Sequence, residues 1–218
     1  MIGTLRVRLS SRAHIPVFCL EGSRILDREW YPHQFVSMAK TLLEARNWRI
    51  ANDGNRLENK KFNLVLLPYY GAAFVRELPL WPQWYVPIPV KGKIILDVGA
   101  GCGESAFFYF RNGARKVICV EPDAPAVECL RENSKRHKWN VDIVPELFNL
   151  SMLNECTFDL LKIDIEGSEV ELLKLSELPT PTVLESHTPA ITNAFTRQFN
   201  ARVVETRSDG ISILQINC

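Results

Sequence analysis

The chain has 218 residues, of which 46% are hydrophobic and 23% are charged, and its formal net charge is +1. These numbers allow one sizeable buried core and exclude a disordered chain. They also argue against a strongly electrostatic nucleic-acid binder, although residues 1–61 carry 11 Lys/Arg against 6 Asp/Glu.

Residues 1–90 predict a small α+β extension. Apolar residues in 35–48 recur at the spacing of an amphipathic helix, and Asn-Asp-Gly-Asn at 52–55 is a turn signal. Strands are predicted over residues 5–9, 15–20 and 62–67. Four prolines and two tryptophans in residues 78–90 predict a stiff, extended connector.

Residues 91–218 predict a larger domain with an α/β fold. Short apolar runs predict strands at 93–98, 116–120, 141–144, 158–163 and 182–184, and helices are predicted at 104–111, 124–136, 168–175 and 191–199. The last two runs, 202–205 and 211–216, flank Ser208-Asp209-Gly210, a hairpin turn that adds an antiparallel edge. The alternation predicts a mostly parallel sheet of seven strands with an antiparallel last strand.

The cysteines and the hydropathy bear on the compartment. Six cysteines occur singly, without a CxxC pair, which favours reduced thiols inside a cell. The N-terminal residues contain no apolar stretch long enough for a signal peptide, and no window approaches the roughly 20 apolar residues of a membrane span. We therefore expect a cytoplasmic protein with no membrane span.

The turn after the first strand of the larger domain is rich in glycine. Ligands of an open parallel sheet bind beyond the carboxyl ends of its strands. Alternate glycines let the backbone approach a ligand closely, and amides at the start of the next helix can receive a carboxylate. The residues predicted to bind a cofactor here are Asp97, Gly99, Ala100, Gly101, Cys102 and Gly103.

Two residues of this turn separate S-adenosylmethionine (SAM) from NAD. A dinucleotide-binding turn requires a third glycine at position 104, whereas Glu104 would place a carboxylate beside a pyrophosphate. Asp97 precedes the glycines and could attract an ammonium group. SAM carries an ammonium and a sulfonium but no phosphate, so SAM is the favoured cofactor and an NAD oxidoreductase is an alternative.

Carboxylates after the next two strands extend the predicted cofactor site. Glu121 ends the second strand, 20 residues beyond Gly101, at the distance where a carboxylate reaches ribose hydroxyls. Pro122 follows it in the same site. Glu146, after the third strand, is expected to line an adenine pocket.

Polar side chains follow the fourth and fifth strands. Lys162, Asp164 and Glu166 are spaced by two and therefore share one face of an extended segment. Glu185 and His187 have the same spacing at the end of the fifth strand. If these two strands are neighbours, both groups open onto the crevice of the glycine turn, where unpaired charges would be costly without a function.

In this region the chain resembles the FkbM-type methyltransferase family. Its Lys-x-Asp-x-Glu-Gly-x-Glu and Glu-x-His patterns are matched by Lys162, Asp164, Glu166, Gly167, Glu169, Glu185 and His187. The resemblance covers residues 92–189. It implies a Rossmann-like class I methyltransferase sheet and O-methylation of a small molecule or sugar. Only 13 residues, 145–157, join the third and fourth strands, where the resemblance leads us to expect a longer connection with another helix.

These residues also carry expected roles in methyl transfer. A hydroxyl nucleophile needs a base, and His187 is the first choice because its ordinary pKa lies near neutrality. Asp164 or Glu166 is the second choice, Glu185 is expected to orient the imidazole, and Lys162 to neutralise the carboxylates. A magnesium site is an alternative use of the same carboxylates.

Two other functions remain open from the sequence. An RNA or protein methyltransferase would dock its substrate on the basic residues 1–61, with exposed aromatic side chains such as Trp30, Tyr31 and Trp48. A non-catalytic SAM-binding module would keep the glycine turn but would not need Asp164 and His187. The sequence does not determine the oligomeric state.

Overall fold

The computed structural model describes residues 6–9, 16–19, 47–51, 53, 56–178 and 181–218. The first strands, β1 (Arg6–Leu9) and β2 (Pro16–Cys19), pair antiparallel. A second antiparallel sheet consists of β3 (Trp48–Ile50), β4 (Leu57–Asn59) and β5 (Leu64–Leu66). The predicted strands at 5–9, 15–20 and 62–67 are confirmed. The predicted helix over 35–48 lies outside the described residues except at its end, where Trp48 begins β3, and only Asp53 of the predicted turn at 52–55 is described.

The Pro/Trp connector is helical in part, which differs from the extended connector that we predicted. Helix α1 (Pro68–Glu77) is followed by a short helix α2 (Trp81–Tyr85). Pro82 lies in the first turn of α2, where a missing N–H removes no helical hydrogen bond. Trp81, Trp84 and Tyr85 are all buried, so packing of these rings stabilises a helix of only five residues.

The main sheet follows the predicted alternation of strands and helices. Its elements are β6 (Ile94–Val98), α3 (Glu104–Arg111), β7 (Lys116–Val120), α4 (Ala124–His137), β8 (Val141–Val144), α5 (Met152–Glu155), β9 (Leu160–Ile163), a 3-10 helix (Ser168–Lys174), β10 (Thr182–Ser186), α6 (Pro189–Phe199), β11 (Arg202–Thr206) and β12 (Ser212–Ile216). The connection from β8 to β9 carries only α5, a single helical turn.

The strand order is β11-β12-β10-β9-β6-β7-β8. The five strands from β10 to β8 in this order pair parallel, and β12 is antiparallel to both of its neighbours. The prediction of seven strands with an antiparallel last strand is confirmed. We expected the closing hairpin to add an antiparallel edge to the sheet. Instead, β12 lies inside the sheet between β10 and β11 and is buried at all five positions.

The side chains of the main sheet alternate between two hydrophobic clusters, one on each face. Ile95 and Val117 face one cluster, and Leu96 and Ile118 face the other. The first cluster also contains aromatic residues of the N-terminal part and of α3, namely Trp48, Phe74, Trp81, Trp84, Phe107 and Phe108. The division into domains 1–90 and 91–218 stays a prediction. No helix in the described part of the chain is long and apolar enough to cross a membrane.

One buried amide joins the three-stranded sheet to the glycine turn. Asn133 on α4 is fully buried, donates to the carbonyls of Val65 (2.7 Å) and Cys102 (2.9 Å), and accepts from the Val65 amide (2.7 Å). Because Val65 belongs to β5 and Cys102 to the glycine turn, this side chain connects parts of the chain that are far apart in sequence. No pattern in the sequence marked it.

We expect Asn133→Leu to lower the free energy of unfolding by about 3 kcal/mol or more, because three buried backbone groups lose their partner. Denaturant unfolding monitored by circular dichroism measures the change. Asn154→Ala, at an exposed position on α5, is the control and should change stability by less than about 0.5 kcal/mol. Equal losses for the two variants would contradict the bridging role of Asn133.

Candidate active site

The glycine turn at the end of β6 is held in a conformation that other residues adopt at a cost. Gly99 and Gly101 have φ angles of +74° and +54°. A Cβ at Gly99 would overlap the backbone carbonyl oxygen of Asp164, at the end of β9. A Cβ at Gly101 would lie 2.6 Å from the ring of Tyr70 and 2.8 Å from Glu104 Oε1. The glycines therefore permit close packing against the end of β9 and against α1.

A buried ion pair lies directly beneath this turn. Lys162 Nζ is 3.2 Å from Asp97 Oδ1 and donates a 2.9 Å hydrogen bond to the carbonyl of Gly99. Ser105 Oγ donates to the other oxygen of Asp97 at 2.6 Å. Burial alone lowers the pKa of Lys162, but the charges of Asp97, Asp164 and Glu185 together raise it. Lys162 is thus a fixed cation, as expected, and Asp97 contacts protein groups through both oxygens.

Glu104 is a buried carboxylate of this region with one oxygen that accepts no hydrogen bond from the described residues. It begins α3, and its Oε2 atom is buried without a hydrogen bond to the described residues. Burial raises the pKa of Glu104 to about 8. A buried carboxyl oxygen without a hydrogen-bond partner fits a cationic group of a ligand, so Glu104 is a candidate for the ammonium-binding role that the sequence suggested for Asp97.

Glu121 lies where the spacing predicts. It directly follows β7, is 6% exposed, and accepts hydrogen bonds from the amides of Gly101 (2.9 Å) and Asp123 (2.8 Å). The turn and the carboxylate are therefore in direct contact. Pro122 is exposed beside it. Glu146 is also exposed, beyond the end of β8, and takes part in no hydrogen bond or ion pair in the described ranges.

The polar groups after β9 and β10 converge around His187. The Nε2 atom of His187 is 3.5 Å from Asp164 Oδ1 and 3.5 Å from Glu166 Oε2. On its other side, fully buried Glu169 accepts from the His187 amide (2.9 Å) and lies 3.1 Å from Nδ1. Glu169 therefore orients the imidazole, a role that we had predicted for Glu185.

His187 is surrounded by negative charge. Burial alone lowers the pKa of His187, but the hydrogen bond with Glu169 and the charges of Asp164 and Glu166 raise it to about 9. The imidazole is then mostly protonated at pH 7. This does not favour the role of neutral base that the sequence suggested, because a protonated ring has no free lone pair.

Glu185 is the second group of this cluster with a raised pKa. It is buried in β10, accepts a hydrogen bond from the Tyr85 hydroxyl, and lies 3.9 Å from the guanidinium of Arg207. Burial and the negative charges of Asp164 and Glu77 raise the pKa of Glu185 to about 8. With a pKa of about 8 this carboxyl group is, like His187, mostly protonated at pH 7, and only its ionised fraction can take up a proton during a reaction.

Three of these side chains are close enough to share a cation. One ligand atom each from Asp164, Glu185 and His187 lies within 4.8 Å of the others. Magnesium prefers a shell of oxygen ligands, whereas this group offers two carboxylates and one imidazole. The donor set does not favour magnesium, and the magnesium site stays an alternative prediction.

Comparisons with known proteins agree with this fold. Over 67% of this chain and 50% of the other, the structure superposes on SMU.776, solved in complex with SAH, with a TM-score of 0.50 and 11% identity. An identity this low shows the fold alone. Together with the strand order, it defines a Rossmann-like class I methyltransferase fold.

The chain is also similar in sequence to ribosomal protein L11 methyltransferases. It is 30% identical to the one from Tolumonas auensis over 113 residues, which are 50% of this chain and 37% of that protein. It is 28% identical to the one from an Enterobacter species over 158 residues, 70% of this chain and 49% of that protein. The chain thus spans at most about half the length of these relatives. No protein-family model matches the chain, so the resemblance to the FkbM-type family stays a prediction.

Two glycines with similar backbone angles test the packing of the turn. Gly92 (φ +76°) has no atom within 4 Å of an added Cβ, whereas at Gly99 the Cβ meets a backbone carbonyl. We expect Gly99→Ala to destabilise the protein by about 1–3 kcal/mol more than Gly92→Ala, because only the first adds a clash to the backbone strain. Urea unfolding of the two variants measures the difference, and equal losses would contradict the close approach of the turn to β9.

Stability should fall as the pH rises from about 5 to 9. His187 and Glu185 have raised pKa values of about 9 and 8, so each holds its proton more tightly in the folded state. Their contribution is present at low pH and is lost as the pH passes through those values. We expect Glu185→Gln to flatten this profile, and the exposed Glu171→Gln to leave it unchanged. Thermal unfolding at pH 5 to 9 is the measurement, and a wild-type profile that is flat or rises would be inconsistent with these shifts.

Proposed function

We propose that this chain is a SAM-dependent methyltransferase whose acceptor is an amine of a protein. The observation that carries the proposal is the glycine turn in contact with Glu121 at the carboxyl ends of β6 and β7. This is the edge where ligands of open α/β sheets bind. The similarity to L11 methyltransferases supports both the cofactor and a protein acceptor.

The residues of the turn fit SAM better than a dinucleotide. Its backbone amides and Glu121 would hold the cofactor, with the carboxylate of Glu121 receiving the ribose hydroxyls. Glu104, whose buried Oε2 lacks a hydrogen-bond partner, fits the ammonium group, which would favour its ionised form, whereas a pyrophosphate would disfavour that form. SAM supplies a methyl group that is activated by its sulfonium.

The acidic crevice favours a cationic acceptor. Asp164, Glu166 and Glu185 gather near the end of the turn, and the carboxylates of Asp164 and Glu166 attract an ammonium group. An amine must lose a proton before it can act as a nucleophile, and the ionised form of Glu185, whose pKa is raised to about 8, would receive that proton. His187 would bind and orient the acceptor as a protonated donor, held by Glu169.

A hydroxyl of a small molecule or sugar is the second candidate acceptor. The match to the FkbM-type pattern at Lys162, Asp164, Glu166, Glu185 and His187 favours it. The names of the relatives favour a ribosomal protein instead. The products distinguish the two acceptors, because a protein acceptor carries the methyl group on a macromolecule and a small-molecule acceptor does not.

Paired variants separate cofactor binding from transfer. We expect Glu121→Gln to raise the Kd for SAM about tenfold or more, because the ribose loses a charged acceptor. Glu185→Gln and His187→Ala should leave the Kd unchanged and lower turnover, by roughly 10²–10⁴-fold where a base is lost. Isothermal titration measures the Kd, and the exposed Glu128→Gln is the control. An unchanged Kd in Glu121→Gln would contradict the assignment of Glu121 to the ribose hydroxyls.

The acceptor is identified with SAM that is radiolabelled in its methyl group. The protein is incubated with a ribosomal fraction and with a small-molecule extract, and the products are treated with protease or ribonuclease. We expect the label on protease-sensitive material, and on a methylated amine after acid hydrolysis. Label that stays in the small-molecule extract would favour the hydroxyl acceptor and contradict the proposal.

A further inference from the structure

A second concave surface lies at the amino ends of the parallel strands, opposite the carboxyl ends that carry the glycine turn. It is a groove of about 440 Å³ between the last turns of α3 and α4. Arg115, which precedes β7, and Asn140, which precedes β8, belong to its wall. The groove is therefore at the amino ends of these strands, whereas the candidate active site is at their carboxyl ends.

One wall of the groove is a stack of aromatic rings. Trp139 stacks on Phe110 with ring centroids 5.4 Å apart and an angle of 18°, and on His137 at 5.1 Å and 12°. All three side chains are partly exposed. A stack of near-parallel rings with an exposed side is a surface that another planar ring can extend.

The rim of the groove is positively charged. Arg111, Arg115 and Lys138 are exposed, and none of them lies within 4.0 Å of a carboxylate of the described ranges. Lys61 flanks them, because it and Arg111 both lie over the ring of Phe62. Cations at helix C-termini commonly offset the helix dipole, but each terminus carries only about half an elementary charge. Four cations carry more positive charge than is needed to offset the dipoles of α3 and α4.

We propose that this groove binds single-stranded RNA, with an unpaired base against the aromatic stack and neighbouring phosphates on Arg111, Arg115 and Lys138. A base in a duplex cannot reach the rings, because its faces are covered by its neighbours. An acidic peptide would satisfy the cations but would leave the stack unused. The cations belong to separate elements, α3, the residue before β7 and the end of α4, which favours a strand with several phosphates over a free nucleotide.

This inference goes beyond the proposed function and does not depend on it. Binding in the groove requires neither SAM nor the carboxylates around His187. It also differs from the basic N-terminal surface that the sequence suggested. Trp48, one of the aromatic residues named for that surface, is only 1% exposed, and Trp30 and Tyr31 lie outside the described residues.

The test is the affinity of the whole chain for a fluorescent 12-nucleotide RNA of mixed, unpaired sequence, measured by anisotropy at several salt concentrations. We expect the double variant Arg115→Gln/Lys138→Gln to bind roughly tenfold more weakly, with a salt slope smaller by about 1. Phe110→Leu should weaken binding roughly tenfold without changing that slope, because it removes stacking and no charge. Arg197→Gln removes an exposed cation on α6 and is the matched control, with no change expected.

Folding and the proposed function are monitored separately. Each variant should keep the wild-type melting temperature within a few degrees and the wild-type response to SAM, because the substituted groove residues lie at or beyond the C-terminal ends of α3 and α4 and not in the glycine turn. Trp139 is left unchanged, since its ring lies 3.3 Å from the position of a Cβ on Gly103. A wild type that binds RNA but not SAM would overturn the proposed function and leave this inference standing. Affinities that are equal in the wild type and both groove variants, or an RNA duplex that binds as tightly as the single strand, would overturn it.

Discussion

The buried ion pair between Lys162 and Asp97 holds the glycine turn against the main sheet. Lys162 reaches from β9 to Asp97 in β6 and also donates to the carbonyl of Gly99. Both charged groups are almost fully buried, so loss of either partner would leave an uncompensated charge at a cost of about 3–5 kcal/mol. The pair fixes the start of the turn, and the contact of Gly101 with Glu121 follows from that position.

The N-terminal part of the chain contributes directly to the same region. Tyr85 in α2 donates to Glu185, Trp84 donates to Glu205 in β11, and Tyr70 in α1 covers Gly101. The cofactor turn and the acidic crevice are thus built from both halves of the sequence. A change in α1 or α2 would therefore affect the site even though the glycine turn itself is intact.

The fold was largely predictable because its signals are local. Apolar runs located every strand of the main sheet, and spacing along the chain placed Glu121 beside the turn. The roles of individual side chains were less predictable. The hydrogen bonds of Asn133 and Tyr85 join residues 68 and 100 positions apart, which leaves no periodic pattern. The raised pKa of His187 depends on burial and on its hydrogen bond with Glu169, which residue type alone does not reveal, and its role as the base stays a prediction.

The central claim is that the glycine turn binds SAM. The most direct measurement is a titration of the purified chain with SAM, S-adenosylhomocysteine and NAD, followed by heat of binding and by thermal unfolding. We predict that SAM and S-adenosylhomocysteine bind, and that each stabilises the fold by roughly 2.7 kcal/mol at about 100 times its Kd. NAD should do neither. Binding of NAD alone, or of none of the three, would contradict the account.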